Sequence, residues 1–236
     1  MDADQRCLIY RHGARSGDGV ALTFDDGPNP PITEQMLAIL AAHGARATFF
    51  VMGKWVERYP ETLRRTVAAG HLVGNHTYAG RRNIGDYDEA ETVIGHVTGR
   101  PCRYFRAHAF DYGAYFQSTV ARLPGNVVVD ADVNPSDYAC ADPDEIVRRV
   151  LEHPELEPGS VVDLHDGSET EDASVRLLRP QATLAALPRL IDGLKARGLR
   201  CVRLDELDLV EPIEWIWPRS TDANRRVAAR TVGQPQ

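Results

Sequence analysis

Short apolar runs rich in β-branched residues alternate with helical patterns along the chain. Seven runs predict strands, at residues 19–24, 46–52, 71–75, 102–106, 126–131, 159–164 and 199–204. Helical patterns lie between them, at residues 31–43, 60–69, 86–98, 114–123, 142–152 and 180–197. Strict alternation of strand and helix predicts parallel strands that are covered by helices.

The boundaries of these elements carry the expected residues. Pro60 stands where one helix begins, and Gly99 follows the end of another, which is the usual placement of proline and glycine at helix termini. Seven strand–helix units in a chain of this length favour a small (β/α) barrel over an open sheet. We expect one α/β domain over residues 18–210, with an N-terminal segment at 1–17 and a polar C-terminal tail at 211–236.

Composition and charge narrow the classes of function. The chain has 236 residues, of which 34 are acidic and 27 basic, so its formal net charge is −7. This balance argues against a nucleic-acid partner, and no run approaches about 18 consecutive apolar residues, so we expect no membrane span. The first twenty residues are charged throughout and lack the apolar stretch of a signal peptide, which predicts a cytoplasmic protein. The four cysteines form no C-x-x-C pair, so we expect free thiols.

Ionisable side chains collect where the predicted strands end. Asp25 and Asp26 follow the first strand, and His76 follows the third. Later strand ends supply further candidates, namely Arg106, His108, Asp130, Asp132, Asp137, His165 and Asp166. Barrel enzymes assemble their active sites at the rim formed by the carboxyl ends of the strands. The pattern therefore predicts an active site at this rim.

Three motifs at these strand ends resemble a known family. They read T-F-D-D-G-P at residues 23–28, N-H-T-Y at 75–78 and L-H-D-G at 164–167. In this order and spacing they resemble the polysaccharide deacetylase family, which is carbohydrate esterase family 4 with the NodB homology domain. The resemblance covers about residues 18–207. It implies a distorted (β/α)7 barrel of the NodB type and metal-dependent hydrolysis of N-acetyl groups.

The resemblance also implies roles for individual residues. Asp26 and His76 match two of the family's metal ligands. Four residues match its catalytic groups, namely Asp25 as general base, Arg106 as the partner of that base, His165 as general acid and Asp137 as the group that orients His165. These residue types suit amide hydrolysis, which needs an activated water, a polarised carbonyl and a protonated leaving nitrogen.

The chain departs from the family at the third metal ligand. The family motif H-[ST]-x-x-H ends here in Gly80, which has no donor atom, and the motif F-R-P-P-Y-G is stretched over residues 105–113. The stretched segment brings His108 to the same rim. We predict that His108 replaces the missing ligand, with Asp163 and Asp111 as alternatives, and that the ion is zinc, cobalt or nickel.

A further group of residues is predicted to contact the substrate. Asp163 lies two positions before His165, so both side chains point to the barrel mouth. A buried carboxylate there needs a cation, a histidine or a shared proton as its partner. The predicted substrate-binding residues are Tyr78, Tyr112, Tyr138 and Asp163.

Together these features predict a hydrolase of C–N bonds other than peptide bonds. We expect metal-dependent cleavage of an N-acetyl or N-acyl bond, with an N-acylated small molecule or amino sugar derivative inside the cell as substrate. One alternative is a metal-independent family member, either with allantoinase-like amide hydrolysis or with acid–base chemistry such as cyclisation or elimination. The other alternative is a binding protein without catalysis.

Overall fold

A mostly parallel sheet organises the molecule, as described by a computed structural model over residues 6–81, 83–111 and 127–216. The strands are β1 (Arg6–Tyr10), β2 (His12–Gly13), β3 (Gly19–Gly27), β4 (Thr48–Val51), β5 (Leu72–Asn75), β6 (Tyr104–Phe105), β7 (Val127–Val129), β8 (Val161–His165), β9 (Arg200–Val202), β10 (Leu209–Val210) and β11 (Ile213–Ile216). The α-helices are α1 (Ile32–Ala42), α2 (Gly53–Arg58), α3 (Pro60–Ala68), α4 (Ile84–Thr98), α5 (Pro143–Leu151), α6 (Ala173–Leu178) and α7 (Gln181–Ala196).

The strand order follows the chain around the sheet. It runs β11-β1-β7-β6-β5-β4-β3-β8, and β9 also pairs with β3. Along this order, every pair of neighbours between β1 and β8 is parallel, whereas β11 lies antiparallel to β1. The short strands β2 and β10 form a separate pair. The predicted α/β architecture is confirmed, and each of the seven predicted strands is present as one of β3 to β9.

Local sequence signals set several of the helix ends. The side chain of Asp142 accepts a hydrogen bond from the amide of Asp144, and Pro143 opens α5. Gly99 ends α4 with a left-handed φ of 74°. Five of the six predicted helices are found, and the sixth, at residues 114–123, lies outside the described residues. None of the helices in the described ranges has the length and the apolar content that a membrane crossing requires.

The main core lies between the sheet and the helices. Phe24 of β3 stacks on Phe49 of β4 with ring centroids 5.1 Å apart. Helices α1 and α7 bury their apolar faces in the same cluster, through side chains such as Met36 and Leu190. Cys102, Cys140 and Cys201 are free thiols, as predicted.

A short seam joins the segment after β7 to β8, which stands at one end of the strand order. Beyond β7, Val133 forms an isolated parallel bridge with Val162 of β8. The carboxylate of Asp132 reinforces this seam, because it accepts hydrogen bonds from the amide of Val161 at 2.7 Å and from Arg15 at 2.8 Å. Asp132, one of the sequence candidates, therefore holds β7 and β8 together on the side of the strand away from the predicted rim.

Candidate active site

A cleft of about 390 Å3 opens at the carboxyl ends of the strands. Its wall includes most of the predicted site residues, namely Asp25, Asp26, His76, His108, Tyr138, Asp163 and His165. The parallel sheet brings these side chains together from β3, β5, β8 and the loops that follow β6 and β7. The cleft is therefore at the rim that the sequence predicts.

Two consecutive carboxylates face this cleft from the end of β3. Successive side chains of a regular strand point to opposite faces, but Asp26 has a left-handed φ of 71°. This turn of the backbone lets Asp25 and Asp26 both line the cleft. Gly167 packs directly against the turn, because a Cβ on Gly167 would lie only 2.1 Å from the carbonyl oxygen of Asp26. The glycine that follows the L-H-D motif is thus required by close packing.

Asp25 is fixed by a buried guanidinium. Nη1 of Arg106 donates to Oδ1 of Asp25 at 2.9 Å and to the hydroxyl of Thr23 at 2.7 Å. Burial by itself would raise the pKa of Asp25, but the neighbouring positive charges, that of Arg106 foremost, outweigh burial and lower it. The carboxylate is therefore ionised and oriented, as a proton acceptor must be.

His165 is fixed by a buried carboxylate. Its Nδ1 donates to Oδ1 of Asp137 at 2.8 Å. Oδ2 of Asp137 accepts from the backbone amide of His165 at 2.9 Å and from the hydroxyl of Thr183 at 2.7 Å. Burial disfavours the charged imidazole, but the carboxylate of Asp137 outweighs burial and raises the pKa of His165 well above its usual range. With Nδ1 engaged, Nε2 is the ring nitrogen left for the cleft.

Asp26, His76 and His108 form a cluster that could hold a metal ion. Each offers one ligand atom, and these atoms lie within 4.8 Å of one another. Nδ1 of His76 donates to the carbonyl of Arg106 at 2.9 Å, which leaves Nε2 facing Oδ1 of Asp26 at 3.5 Å. Burial lowers the pKa of His76 despite the nearby carboxylates, so the ring is neutral, as ligation requires.

The hydrogen bonding of this cluster fits a cation. Oδ1 of Asp26 and Nδ1 of His108 are buried and have no hydrogen-bond partner among the described residues. Buried polar atoms are rarely left unpaired. One carboxylate with two imidazoles is a donor set that suits zinc and similar divalent ions. The residues present therefore fit the metal that the family resemblance implies.

His108 occupies the space beside Gly80. A Cβ on Gly80 would lie 3.1 Å from Nδ1 of His108 and 3.3 Å from its Cε1. His108 begins a short 3-10 turn, His108–Phe110. Of the alternative replacement ligands, Asp163 lies in a different group, and Asp111 is not in the cluster. The geometry thus favours His108 among the three candidates.

Asp163 meets the partners that its burial demands. Its Oδ1 lies 3.4 Å from Nη1 of Arg106, and its Oδ2 accepts from the side-chain amide of Asn134 at 2.9 Å. Burial and the charge of Asp25 raise the pKa of Asp163 to about 8. Asp25, Asp163 and His165 also offer closely spaced ligand atoms, but the Arg106 guanidinium bound to Asp25 disfavours a second cation there.

The tyrosines differ in their relation to the cleft. Tyr138 is 51% exposed, and its ring lies 5.3 Å from that of His165. Tyr78, a predicted substrate-binding residue, is not among the residues that line the cleft, and its hydroxyl donates to Glu57 at 2.7 Å. Thr77, the residue before it, has a left-handed φ of 72°, and the substrate-binding role of Tyr78 stays a prediction. Tyr112 lies outside the described residues.

Several cleft residues were not predicted from the sequence. They are Ala109, Phe110, Asn134, Gly167, Ser168, Glu169 and Arg179. Most of them lie within a few residues of a predicted catalytic position, on the loops that follow β6 and β8. That proximity is the sequence signal that could have found them.

The sequence is similar to those of known deacetylases. The sequence profile of the family described as polysaccharide deacetylase matches residues 12–127. A chitooligosaccharide deacetylase of Azorhizobium caulinodans is 35% identical over 193 residues, which are 76% of this chain and 89% of the relative. A second one, of Sinorhizobium fredii, is 39% identical over 203 residues, which are 78% of this chain and 90% of the relative.

A solved structure shows the same fold. It is a peptidoglycan N-acetylglucosamine deacetylase in complex with 4-naphthalen-1-yl-N-oxidanyl-benzamide. The two structures superpose with a TM-score of 0.72 and 26% sequence identity, over 85% of this chain and 92% of the other. The likeness therefore extends over nearly the whole of both chains.

Proposed function

The chain belongs to the polysaccharide deacetylase family and is a hydrolase of C–N bonds other than peptide bonds, and on this premise we propose that it removes acetyl groups from N-acetylglucosamine oligosaccharides with the help of a divalent metal ion. One observation carries the proposal. The pairs Asp25–Arg106 and His165–Asp137 face the same cleft as the cluster that contains Asp26. The relatives named as chitooligosaccharide deacetylases favour an oligosaccharide over the small intracellular molecule expected from the sequence.

Asp25 is the general base of the proposed reaction. Its carboxylate takes a proton from the attacking water while the water oxygen forms a bond to the acetyl carbon. Arg106 keeps the carboxylate ionised and aimed at the cleft through the 2.9 Å hydrogen bond. A positioned base of this kind contributes roughly 10²–10⁴-fold to the rate.

His165 is the general acid. Its Nε2 gives a proton to the sugar nitrogen as the C–N bond breaks, so that the amine leaves uncharged and acetate remains. Asp137 holds Nδ1 and stabilises the protonated ring. After the amine has left, His165 takes a proton from solvent and Asp25 releases its proton to solvent. Asp26, His76 and His108 would hold the metal, which when bound supplies a Lewis acid that activates water and polarises the carbonyl.

Asp25→Asn tests this proposal. The substitution keeps the shape of the side chain and removes the base, so we expect acetate release from chitopentaose to fall by about 10²–10⁴-fold. Release is measured by mass spectrometry after addition of zinc or cobalt. Asp192→Asn is the matched control, because Asp192 lies on α7 with a side chain 67% exposed and does not line the cleft. This variant should keep full activity.

Two results would contradict the proposal. Full activity in Asp25→Asn would remove the assigned base. A native protein that releases no acetate from chitooligosaccharides or peptidoglycan fragments, with any divalent metal added, would favour the metal-independent or non-catalytic alternative.

A further inference from the structure

We propose that the third metal ligand of this chain has moved from position 80 to His108, and that position 80 is a glycine because the imidazole of His108 occupies its side-chain space. The inference rests on the proposed function only in assuming that the cleft holds a divalent cation. It concerns Gly80 and His108, which lie on different loops. According to this inference, the residue type at one position depends on the residue type at the other.

The topology explains how one loop can replace the other. Gly80 lies on the loop that follows β5, and His108 lies directly after β6. These strands are neighbours in the sheet, paired through Asn75 and Phe105. Both loops therefore leave the sheet at the same point of the rim, and a ligand from either can reach the carboxylate of Asp26.

The contact between the two residues is close and specific. A Cβ on Gly80 would meet three ring atoms of His108 at 3.1 to 3.3 Å, closer than ordinary van der Waals contact. Nε2 of His108 lies 4.0 Å from Oδ1 of Asp26, and its ring centroid lies 5.5 Å from that of His76. The imidazole thus fills the place of a side chain at position 80 while it faces the other two ligands.

The unpaired carboxylate oxygen of Asp26 supports a cation that His108 can reach. Oδ1 of Asp26 is buried and has no hydrogen-bond partner among the described residues. An unpaired buried polar group is costly, and a cation shared by the cluster would satisfy the carboxylate.

The turn that carries His108 has an unusual backbone conformation. Ala109 and Phe110 both have φ of 54°, a left-handed conformation that is uncommon for residues other than glycine. Such strain persists where the surrounding structure imposes it, and it concentrates at functional sites. Here it accompanies a turn that presents His108 inward, with its side chain 18% exposed.

Metal affinity is the direct test, measured by chelator competition with zinc and by the visible spectrum of the cobalt-loaded protein. The native chain should bind one ion. His108→Ala should weaken binding by more than the 10–100-fold that loss of an outer-shell partner causes, because it removes a direct ligand. Gly80→His in the native background should not strengthen binding, since the added side chain would collide with His108. The double variant Gly80→His/His108→Ala should recover affinity relative to His108→Ala.

Gly80→Ala has a closely matched control. Gly80 has φ of 73° and Gly99 has φ of 74°, but a Cβ on Gly99 would meet nothing within 4 Å. Both alanine variants should therefore suffer similar backbone strain, and only Gly80→Ala should lose metal affinity. Equal affinity in the two variants would overturn the claim that position 80 must be empty.

Other outcomes are equally decisive. Native affinity in His108→Ala, or no ion bound by the native chain, would overturn the ligand assignment. If His108→Ala does not fold, the ring nitrogens of the native protein decide by NMR, since zinc must shift those of His76 and His108. Metal binding that depends on His108 without acetate release would instead refute the proposed function and leave this inference standing.

Discussion

The chemistry of single residues depends on a few buried pairs of opposite charge. Arg106 lies completely buried beneath Asp25, and the ring of Phe50 lies 4.3 Å from its guanidinium carbon. Asp137 lies equally deep beneath His165. Each pair combines a group facing the cleft with a fixed counter-charge behind it. Such an arrangement sets the protonation state of the exposed member before substrate arrives.

Asp137→Asn should change the pH dependence of both activity and stability. Asp137 raises the pKa of His165, so the pair stabilises the fold fully below the ordinary histidine value of about 6.5, and this contribution disappears as pH rises through the raised value. When the charge of Asp137 is removed, burial lowers the pKa of His165. We therefore expect the basic limb of the pH–rate profile to move to lower pH, and unfolding free energy at pH 6 to fall by about 3 kcal/mol.

Thr183→Val is the control for this prediction. It removes a hydrogen bond to Asp137 at 2.7 Å without removing a charge. It should lower the stability measured by urea unfolding, but the basic limb of the pH–rate profile should not move. A basic limb that stays unmoved in Asp137→Asn would show that His165 is not the acid.

At the level of single residues, the sequence predicted which residues reach the cleft better than it predicted where each side chain points. Asp25, Asp26, His76, His108 and His165 come together because strand ends of a parallel sheet share one rim. The roles assigned to them remain predictions. Tyr78 is not among the residues that line the cleft, and its sequence gives no sign that the backbone of the residue before it is left-handed.

Among the elements, the junction of β3 and β8 determines the site most directly. Asp25 is the register partner of His165 across this pair, so the proposed base and acid lie on adjacent strands. The loop after β8 then packs on the end of β3 through Gly167. The relative position of the two motifs is thus fixed by sheet pairing and by one close backbone contact.

Gly167→Ala should disturb this junction. Its new methyl group would approach the carbonyl of Asp26 to 2.1 Å, so the end of β3 must shift. We expect the free energy of unfolding to fall by about 2 kcal/mol and zinc affinity to fall with it, because Asp26 moves. Both are measured on the purified variant, by urea unfolding and by chelator competition.

The control is Gly95→Ala, within α4. A Cβ at Gly95 would lie 3.7 Å from its nearest neighbour, the carbonyl of Arg100. Alanine in a helix interior should raise stability by up to about 1 kcal/mol and leave zinc affinity unchanged. Native stability and native zinc affinity in Gly167→Ala would contradict the account of the junction.

Element prediction succeeded where a segment carries its own pattern. The strands β3 to β9 are apolar runs between clear turn signals, so periodicity suffices to find them. The missed elements include β1, β10, α2 and α6, which have two to six residues. Segments this short have too few residues for a period to be recognised, and β1 depends on β7 and β11 for its hydrogen bonds.

Over the whole molecule, the seam between the segment after β7 and strand β8 adds a link that the strand order does not contain. An isolated bridge pairs Val133 with Val162 there, and two backbone hydrogen bonds accompany it. The carboxylate of Asp132 adds to these bonds, as it accepts from the amide of Val161 and from Arg15. A side chain thus performs a task that backbone pairing performs elsewhere in the sheet.

Asp132→Ala should weaken the seam. It leaves the buried amide of Val161 without its acceptor, which costs about 1–3 kcal/mol, and we expect faster hydrogen exchange at that amide. Asp18→Ala is the control, because the ion pair of Asp18 with Arg200 is exposed and should leave stability almost unchanged. If Asp132→Ala matched this control in urea unfolding and in exchange, the seam would not depend on the carboxylate.

The antiparallel pairing of β11 with β1 also determines how the molecule responds to force. Arg6 and Ile216 are register partners at the same end of this pair, and β1 runs parallel to β7, so both lie toward the face opposite the cleft. A pull that separates these two residues loads the hydrogen bonds of the pair one after another rather than all together. A molecule tethered at these positions therefore peels open at β11 under low tension, while the strands around the cleft carry load only after that strand has come away.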